Sequence, residues 1–107
     1  MPLIQSSSFE FPHIGDNVIR IGDTIFLNWV NNNITNVNVI FFKGIERIPV
    51  TNLTVIDGQN SFNIFIDNSF FTDEFLNCKI RVEMKENPDI VVETPQFKVL
   101  RQNDKSA

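Results

Sequence analysis

The sequence predicts an all-β protein that folds as an antiparallel β-sandwich of seven or eight short strands. Apolar and polar residues alternate with a period of two in several segments, and no segment sustains the 3.6-residue period of a helix. Turn-forming residues separate these segments at intervals of roughly 8–12 residues, the spacing expected of a sandwich. The single tryptophan, Trp29, lies on one of the alternating segments early in the chain, where a large aromatic side chain can fill the centre of a core.

A chain of 107 residues fits one domain with a single hydrophobic core. We expect residues 1–8 to form an extended lead-in and residues 9–101 to form the sandwich. The polar residues 102–107 are expected to be a disordered tail.

Three strands are predicted in the first half of the chain. The first is short and ends at the Gly22-Asp23 turn. In the strand that follows this turn, Ile25, Leu27 and Trp29 share one face. The next strand places Val37, Val39 and Phe41 together on one face. These strands are predicted at residues 17–21, 24–30 and 36–42.

The second half of the chain continues the pattern. Pro49 marks an edge position in the segment 47–56, and a strand at 61–66 follows a strong turn signal at residues 57–60. Residues 67–77 are expected to form a corner connection. In the strand 78–85, the core-facing series starts at Cys78 and strictly alternates with charged residues, which predicts one buried and one solvated face. The last strand, 90–101, is interrupted by Pro95.

Seven or eight short strands around a central aromatic side chain are typical of sandwiches of the immunoglobulin and fibronectin-III type. The predicted fold class is therefore an all-β, immunoglobulin/fibronectin-III-like antiparallel β-sandwich.

Charge and cysteine content narrow the classes of partner. The net charge is −4 and no basic cluster is present, so we expect no nucleic-acid partner. The apolar runs are too short for direct membrane insertion. The single cysteine, Cys78, cannot form a disulfide within the chain. Its place in the core-facing series predicts that it acts as a small buried hydrophobe.

The side chains needed for catalysis or metal binding are sparse. His13 is the only histidine, so neither a multi-histidine metal site nor a Ser-His-Asp triad with a spare base is expected. We predict no cofactor, no metal site and no enzymatic activity. Because a glycosidase needs only two carboxylates, a small glycan-active enzyme stays a remote alternative. The carboxylates that keep it open are Asp57, Asp67, Asp73 and Glu74.

A set of bulky apolar residues falls on strand positions opposite the predicted core face. These residues predict either an exposed apolar patch that binds a partner or a surface covered by the N-terminal segment 1–11. Polar residues share that face, so the patch would be mixed. The candidate binding residues are Phe26, Ile40, Phe42 and Phe65.

Two Asn-x-Thr sequons, at Asn33 and Asn52, are candidate glycosylation sites. They favour an extracellular or cell-surface location. The N-terminal residues lack the pattern of a signal peptide, which leaves a cytoplasmic location open.

The ordered motifs resemble a known family. Gly-Asp-Thr-Ile-Phe-Leu-Asn-Trp at 22–29 is followed by Val-Asn-Val-Ile-Phe-Phe at 37–42 and Ser-Phe-Asn-Ile at 61–64. Cys-Lys-Ile-Arg-Val and Gln-Phe-Lys-Val-Leu at 78–82 and 96–100 complete the set. This order is similar to the immunoglobulin-like domain of fungal serine/threonine-rich, glycosylphosphatidylinositol-anchored cell-wall proteins, which include the yeast cell-wall β-glucan assembly proteins.

The resemblance covers about residues 9–100 and departs from the family pattern at two points. The family has an aromatic residue before a proline in the fifth strand, where this chain has Phe62-Asn63-Ile64. It has a tyrosine at the start of the sixth strand, where this chain has Cys78. Because the chain contains no tyrosine, a tyrosine corner is absent.

Together these observations predict a non-catalytic immunoglobulin-like module of a secreted, cell-surface or cell-wall protein. The expected partner is another protein, a neighbouring module or a cell-wall glycan. A protein-binding repeat unit of a larger extracellular scaffold or adhesin is the alternative.

Overall fold

The computed structural model describes residues 2–10, 18–67 and 74–101, so the predicted tail at 102–107 lies outside the described residues. The described residues form nine strands and no helix, which confirms the all-β prediction. The strands are β1 (Leu3–Glu10), β2 (Val18–Arg20), β3 (Thr24–Asn32), β4 (Asn36–Lys43), β5 (Glu46–Thr54), β6 (Gly58–Phe65), β7 (Phe75–Met84), β8 (Val91–Glu93) and β9 (Phe97–Leu100).

The strands form two sheets. Sheet A has the order β1-β3-β6, and sheet B has the order β2-β9-β7-β4-β5, with β8 also paired to β7. Neighbouring strands are antiparallel except β2 and β9, which run parallel with Val18 opposite Lys98. The expectation of a purely antiparallel fold is therefore wrong at this one pair.

One hydrophobic core lies between the inner faces of the two sheets. Sheet A contributes Ile25, Leu27 and Trp29 from β3, all fully buried. Sheet B contributes Phe41 and Phe97, whose rings meet edge to face with centroids 5.8 Å apart. The alternation predicted for β3, β4 and β7 is confirmed by this packing. Further members are Ile19, Val37, Val39, Ile64, Ile66, Cys78, Ile80, Val82 and Val99.

Trp29 needs a hydrogen-bond acceptor because its indole N–H is buried with the ring. Asn31 supplies it: Asn31 Oδ1 accepts from Trp29 Nε1 at 3.1 Å, and Asn31 is itself buried. Asn31 belongs to the same strand because β3 continues through Asn32, two residues beyond the predicted end at residue 30. A bonded indole removes the cost of burying an unpaired donor.

The predicted lead-in differs from the structure. Residues 3–8 belong to β1, which pairs antiparallel with β3 and carries a register shift between Ser6 and Ser8. Ile4 is buried in the core. These residues therefore form an edge strand of sheet A and part of the folded domain.

Two connections between strands have defined local contacts or backbone geometry. The β4–β5 hairpin has the two-residue loop Gly44-Ile45, in which Gly44 has φ +63°. Glycine at the first loop position with positive φ is the pattern of a type II′ turn. Between β8 and β9, the Thr94 hydroxyl accepts the Ile80 backbone N–H at 3.1 Å, next to the predicted interruption at Pro95.

We predict that Trp29→Ala lowers the free energy of unfolding by about 3–5 kcal/mol, because it leaves a large cavity between the sheets. Urea denaturation measures this change. Ile45→Ala is the matched control, since Ile45 is 100% exposed and its truncation should change stability by less than about 0.5 kcal/mol. The tryptophan emission of the native protein should be blue-shifted. Emission at the wavelength of free indole in a folded sample would contradict the assigned core.

Candidate functional site

The four predicted binding residues lie on two different outer faces. Phe26 and Phe65 belong to sheet A, whereas Ile40 and Phe42 belong to sheet B. The expectation of one shared patch is therefore wrong. The two sheets point these side chains away from a common core, so they lie on opposite sides of the molecule.

The outer face of sheet A carries an exposed aromatic pair. Phe26 is 42% exposed and Phe65 is 57% exposed. In the β3–β6 register Thr24 lies opposite Phe65, and Phe26 lies opposite Asn63. The two phenylalanines are thus diagonal neighbours on one face, a separation that aromatic side chains can bridge.

Charge is almost absent from sheet A. Glu10 is the only charged residue in the sequences of its three strands. Around the aromatic pair the β3 and β6 residues of the outer face are Thr24, Asn28, Ser61 and Asn63. This face therefore combines exposed aromatic rings with neutral hydrogen-bonding groups.

The predicted N-terminal cover of this face is not what the structure shows. Residues 3–10 extend sheet A sideways by pairing with β3. A strand added in the plane of a sheet leaves the outer faces of the other strands open. Phe26 and Phe65 keep their exposure for this reason.

On sheet B, Phe42 is covered by cations. The Arg81 guanidinium lies 4.7 Å from the centroid of the Phe42 ring, and that of Arg47 lies 6.0 Å away. Both distances are in the range of cation–π contacts. Ile40 is only 1% exposed, so its assignment to an exposed binding surface is wrong. Long arginine side chains can cover an aromatic ring such as that of Phe42 in this way.

Glu83 lies at the centre of a charged network on the same face. The sequence pattern placed it in solvent, but it is 1% exposed. Its Oε2 accepts from Arg47 Nη2 at 2.6 Å, and Arg81 Nη1 lies 3.8 Å from its Oε1. Arg47 comes from β5, 36 positions away in the chain. No local sequence signal indicated this partner, because the contact depends on the pairing of β4 with both β5 and β7.

Glu93 extends the network along β8. Its carboxylate accepts from Arg81 Nη2 at 2.6 Å and from Lys79 Nζ at 3.2 Å. Burial opposes ionisation, but the hydrogen bonds from Arg81 and Lys79 outweigh it and lower the pKa of Glu93. Both carboxylates of this network, Glu83 and Glu93, are thus ion-paired.

A shallow groove of about 290 Å³ lies beside this network, on the surface of the paired strands β4 and β5. Its lining offers amide, hydroxyl and cationic groups next to the apolar ring of Pro49. The polar residues that line it are Asn38, Arg47, Thr51, Asn52 and Lys85.

Both predicted glycosylation residues are exposed. Asn33 lies in the β3–β4 connection with φ +59°, a conformation that asparagine tolerates well. Its backbone N–H donates to Asp57 Oδ1 at 2.9 Å. Asn52 lies on the edge strand β5. A glycan at either position therefore remains a prediction that the exposure permits.

The carboxylates of the remote enzyme alternative have structural contacts where they are described. Asp57 caps the Asn33 backbone, and Glu74 Oε2 accepts from the Arg101 backbone N–H at 3.1 Å. Asp73 and His13 lie outside the described residues. Within the described ranges, no three His, Cys, Asp or Glu side chains come close enough together to hold a metal ion. The same residues contain no helix of the length and apolar character needed to cross a membrane.

Cys78 is fully buried, as predicted from its place in the alternating series. Burial raises the pKa of its thiol to about 12, against the opposing influence of Lys43. The thiol is therefore protonated at neutral pH and shielded from reagents.

Comparison with protein-family models, curated proteins and solved structures found no match to this chain.

We predict that Cys78 reacts with a thiol reagent such as DTNB only after denaturant is added, because a buried, protonated thiol is a poor nucleophile. Ser61→Cys provides the control, since Ser61 is exposed and a cysteine there should label in the native protein. Rapid labelling of the native wild-type chain would place Cys78 at the surface.

We predict that Glu93 makes stability sensitive to acid. The pKa of Glu93 is lower in the folded state than its ordinary value of 4.5. The ionised carboxylate therefore contributes its full stabilisation of the fold above pH 4.5. The contribution is lost as the pH falls through the lower, folded-state pKa. Urea denaturation at several pH values should show that Glu93→Gln flattens this decline below about pH 4.5. Glu86→Gln, in an exposed loop, should leave the decline unchanged. An equal slope in Glu93→Gln and the wild type would disprove the assignment.

Proposed function

We propose that this chain is a non-catalytic immunoglobulin-like module of a secreted, cell-surface or cell-wall protein, and that it binds another protein or a neighbouring module through the outer face of sheet A. The observation that carries the proposal is a sheet face with two exposed phenylalanines, in a sheet whose three strands contain a single charged residue, Glu10.

The strand order supports the immunoglobulin-like part of the proposal. In such sandwiches strands A, B and E share one sheet, and strands C, F and G form the other. The order β1-β3-β6 of sheet A is the order expected for strands A, B and E of such a sandwich. The second sheet pairs β4 with β7, and β7 with β8 and β9, which corresponds to C, F and a divided G.

The chemistry of sheet A supports a protein partner. The central parts of protein interfaces are depleted in charged residues and enriched in aromatic ones. Phe26 and Phe65 provide aromatic surface, and Thr24, Ser61 and Asn63 provide neutral groups that can be buried once they are hydrogen-bonded. The ion pairs that occupy the other outer face would each have to be desolvated by a partner, which is costly.

The proposed location rests on sequence. The motif resemblance to fungal cell-wall proteins and the exposed sequons at Asn33 and Asn52 both favour the outside of a cell. A repeat unit of a larger extracellular scaffold or adhesin would use the same face of sheet A against its neighbour.

The groove on the surface of β4 and β5 favours a cell-wall glycan as a second candidate partner. Asn38, Thr51 and Asn52 offer groups that hydrogen-bond sugar hydroxyls. A glycan attached to Asn52 would compete for this groove, so the two roles of Asn52 exclude each other.

We predict that the double variant Phe26→Thr/Phe65→Thr loses most partner binding while it stays folded, because threonine keeps the strand propensity and removes the aromatic surface. The immobilised domain is exposed to cell-wall protein extract and, separately, to a glycan array. Ile45→Thr is the matched control, as it removes an exposed apolar residue from a hairpin of sheet B. Proteins retained by wild type and control but lost by the double variant support the proposal. Equal retention by all three chains refutes it, and glycan binding that is unchanged in the double variant favours the groove.

A further inference from the structure

The edges of the two sheets are protected unequally. Folded proteins guard edge strands against unwanted pairing with charge, proline, bulges or short length. The edge strand β5 carries Glu46, Arg47 and Pro49, and its register with β4 shifts between Val39 and Ile40. On the opposite edge of sheet B, β2 has only three residues. On sheet A, β1 has the register shift between Ser6 and Ser8.

Strand β6 has none of these devices. Its eight residues, Gly58–Phe65, include neither a charged residue nor a proline. It pairs with β3 from Gly58 to Phe65 without a register shift. No other strand in the described part of the chain pairs with it. It therefore presents a long, regular and uncharged edge.

The main-chain groups that face this edge follow from the end of the β3–β6 ladder. The Ile66 N–H donates to the Asp23 carbonyl at 2.9 Å, and the Ile66 carbonyl accepts from Gly22 at 2.6 Å. Both main-chain groups of Ile66 thus point toward the β3 side. Because this direction alternates along an antiparallel strand, those of Ser61 and Asn63 point to the open edge.

The side chains of β6 are also incompletely covered at this edge. Phe62 lies opposite Leu27, which is fully buried, yet Phe62 itself is only partly buried. Phe65, on the other face, is largely exposed. A further strand at this edge would place its own side chains beside Phe62 on one face of the sheet and beside Phe65 on the other.

The charged residues beyond the two ends of β6 determine which kind of strand can pair with its open edge. Asp57 precedes β6, and Asp67 follows it by two residues. If a second copy paired antiparallel with its side chains on matching faces, the two registers of greatest overlap are centred on Ser61 or Phe62. In the register centred on Ser61, Asp57 of one copy lies diagonal to Asp67 of the other, and in the register centred on Phe62 the two lie directly opposite. The same arrangement occurs at both ends of the paired strands. Like charges in these positions are destabilising.

We propose that the open edge of β6 binds an extended segment of a partner protein by strand addition, and that this segment alternates apolar and neutral polar residues between basic residues at both ends. The inference rests on the proposed interaction function of sheet A but concerns its edge instead of its outer face. Main-chain hydrogen bonds supply the affinity in such pairing, and alternate side chains supply specificity. Lys or Arg at the ends of the segment complements Asp57 and Asp67.

The probe is a labelled peptide with the sequence of residues 57–67 that carries Asp57→Lys and Asp67→Lys. The matched control peptide keeps both aspartates. Fluorescence anisotropy with the intact chain should give a Kd at least about tenfold lower for the lysine peptide, because two favourable charge pairs replace two repulsive ones. High salt should reduce this difference.

Asn63→Pro in the intact chain tests the edge. Its N–H points away from β3, so proline there spares the β3–β6 ladder and removes a donor from the open edge. This variant should weaken peptide binding at least about tenfold, whereas Asn63→Ser should bind as the wild type does. Amide hydrogen exchange provides a readout that needs no variant: the peptide should protect the Ser61 and Asn63 amides, and the already paired Phe62 and Ile64 amides should change little.

Each other result overturns the inference. Equal Kd values for the two peptides would show that Asp57 and Asp67 do not contribute to binding. Slower amide exchange in β1 or β5, and not at Ser61 and Asn63, would place the peptide at another edge. Self-association of the chain that is lost in Asn63→Pro makes a second copy the occupant. The Phe26→Thr variant should still bind the lysine peptide, so a failure of the outer-face proposal is distinguishable from a failure here.

Discussion

Burial of Trp29 between the two sheets constrains how every other strand packs. A ring of this size fixes which residues of β3 face inward, because a shift of one residue would turn the ring to solvent. Its indole N–H must also be bonded inside the core, and Asn31 on the same face of the same strand accepts it. One strand therefore provides both the largest core side chain and its polar partner. The remaining strands pack around that pair.

Once the core is set, the two outer faces diverge in chemistry. Sheet B pairs its charges internally, with Glu83 held by Arg47 and Glu93 held by Arg81. These guanidinium groups also cover Phe42, so the face has little apolar surface left for a partner. Sheet A has one charged residue in its strands and keeps Phe26 and Phe65 uncovered. The difference between the faces makes sheet A the side that a protein partner can bury at lower cost.

The sequence predicted the all-β class, the Gly22-Asp23 turn and the inward faces of β3, β4 and β7, because strict alternation is a local signal. The turn predicted at residues 57–60 was wrong, since β6 already begins at Gly58. It missed the parts that depend on pairing between distant segments. Residues 3–8 have no alternation that separates an edge strand from a lead-in, and their pairing with β3 is visible only in the fold. Ile40 is buried, which its outward strand position did not indicate. Phe42 was correctly assigned outside the core cluster, yet Arg47 and Arg81 from neighbouring strands cover its ring. The sequence pattern for β7 placed Glu83 in water for the same reason.

The contrast between β5 and β6 connects the fold to the proposed interaction. Both strands lie at sheet edges, so both expose main-chain groups that another strand can bond. In β5 a proline, a register shift and two charges interrupt that template. In β6 the row of exposed main-chain groups is uninterrupted, and acidic residues lie only beyond its ends, at Asp57 and Asp67. Charges placed there disfavour pairing between copies without blocking the edge itself. The main-chain groups of this edge can bond any extended strand. The two aspartates make the edge selective, because they repel a second copy of β6 and attract a strand with basic residues at its ends.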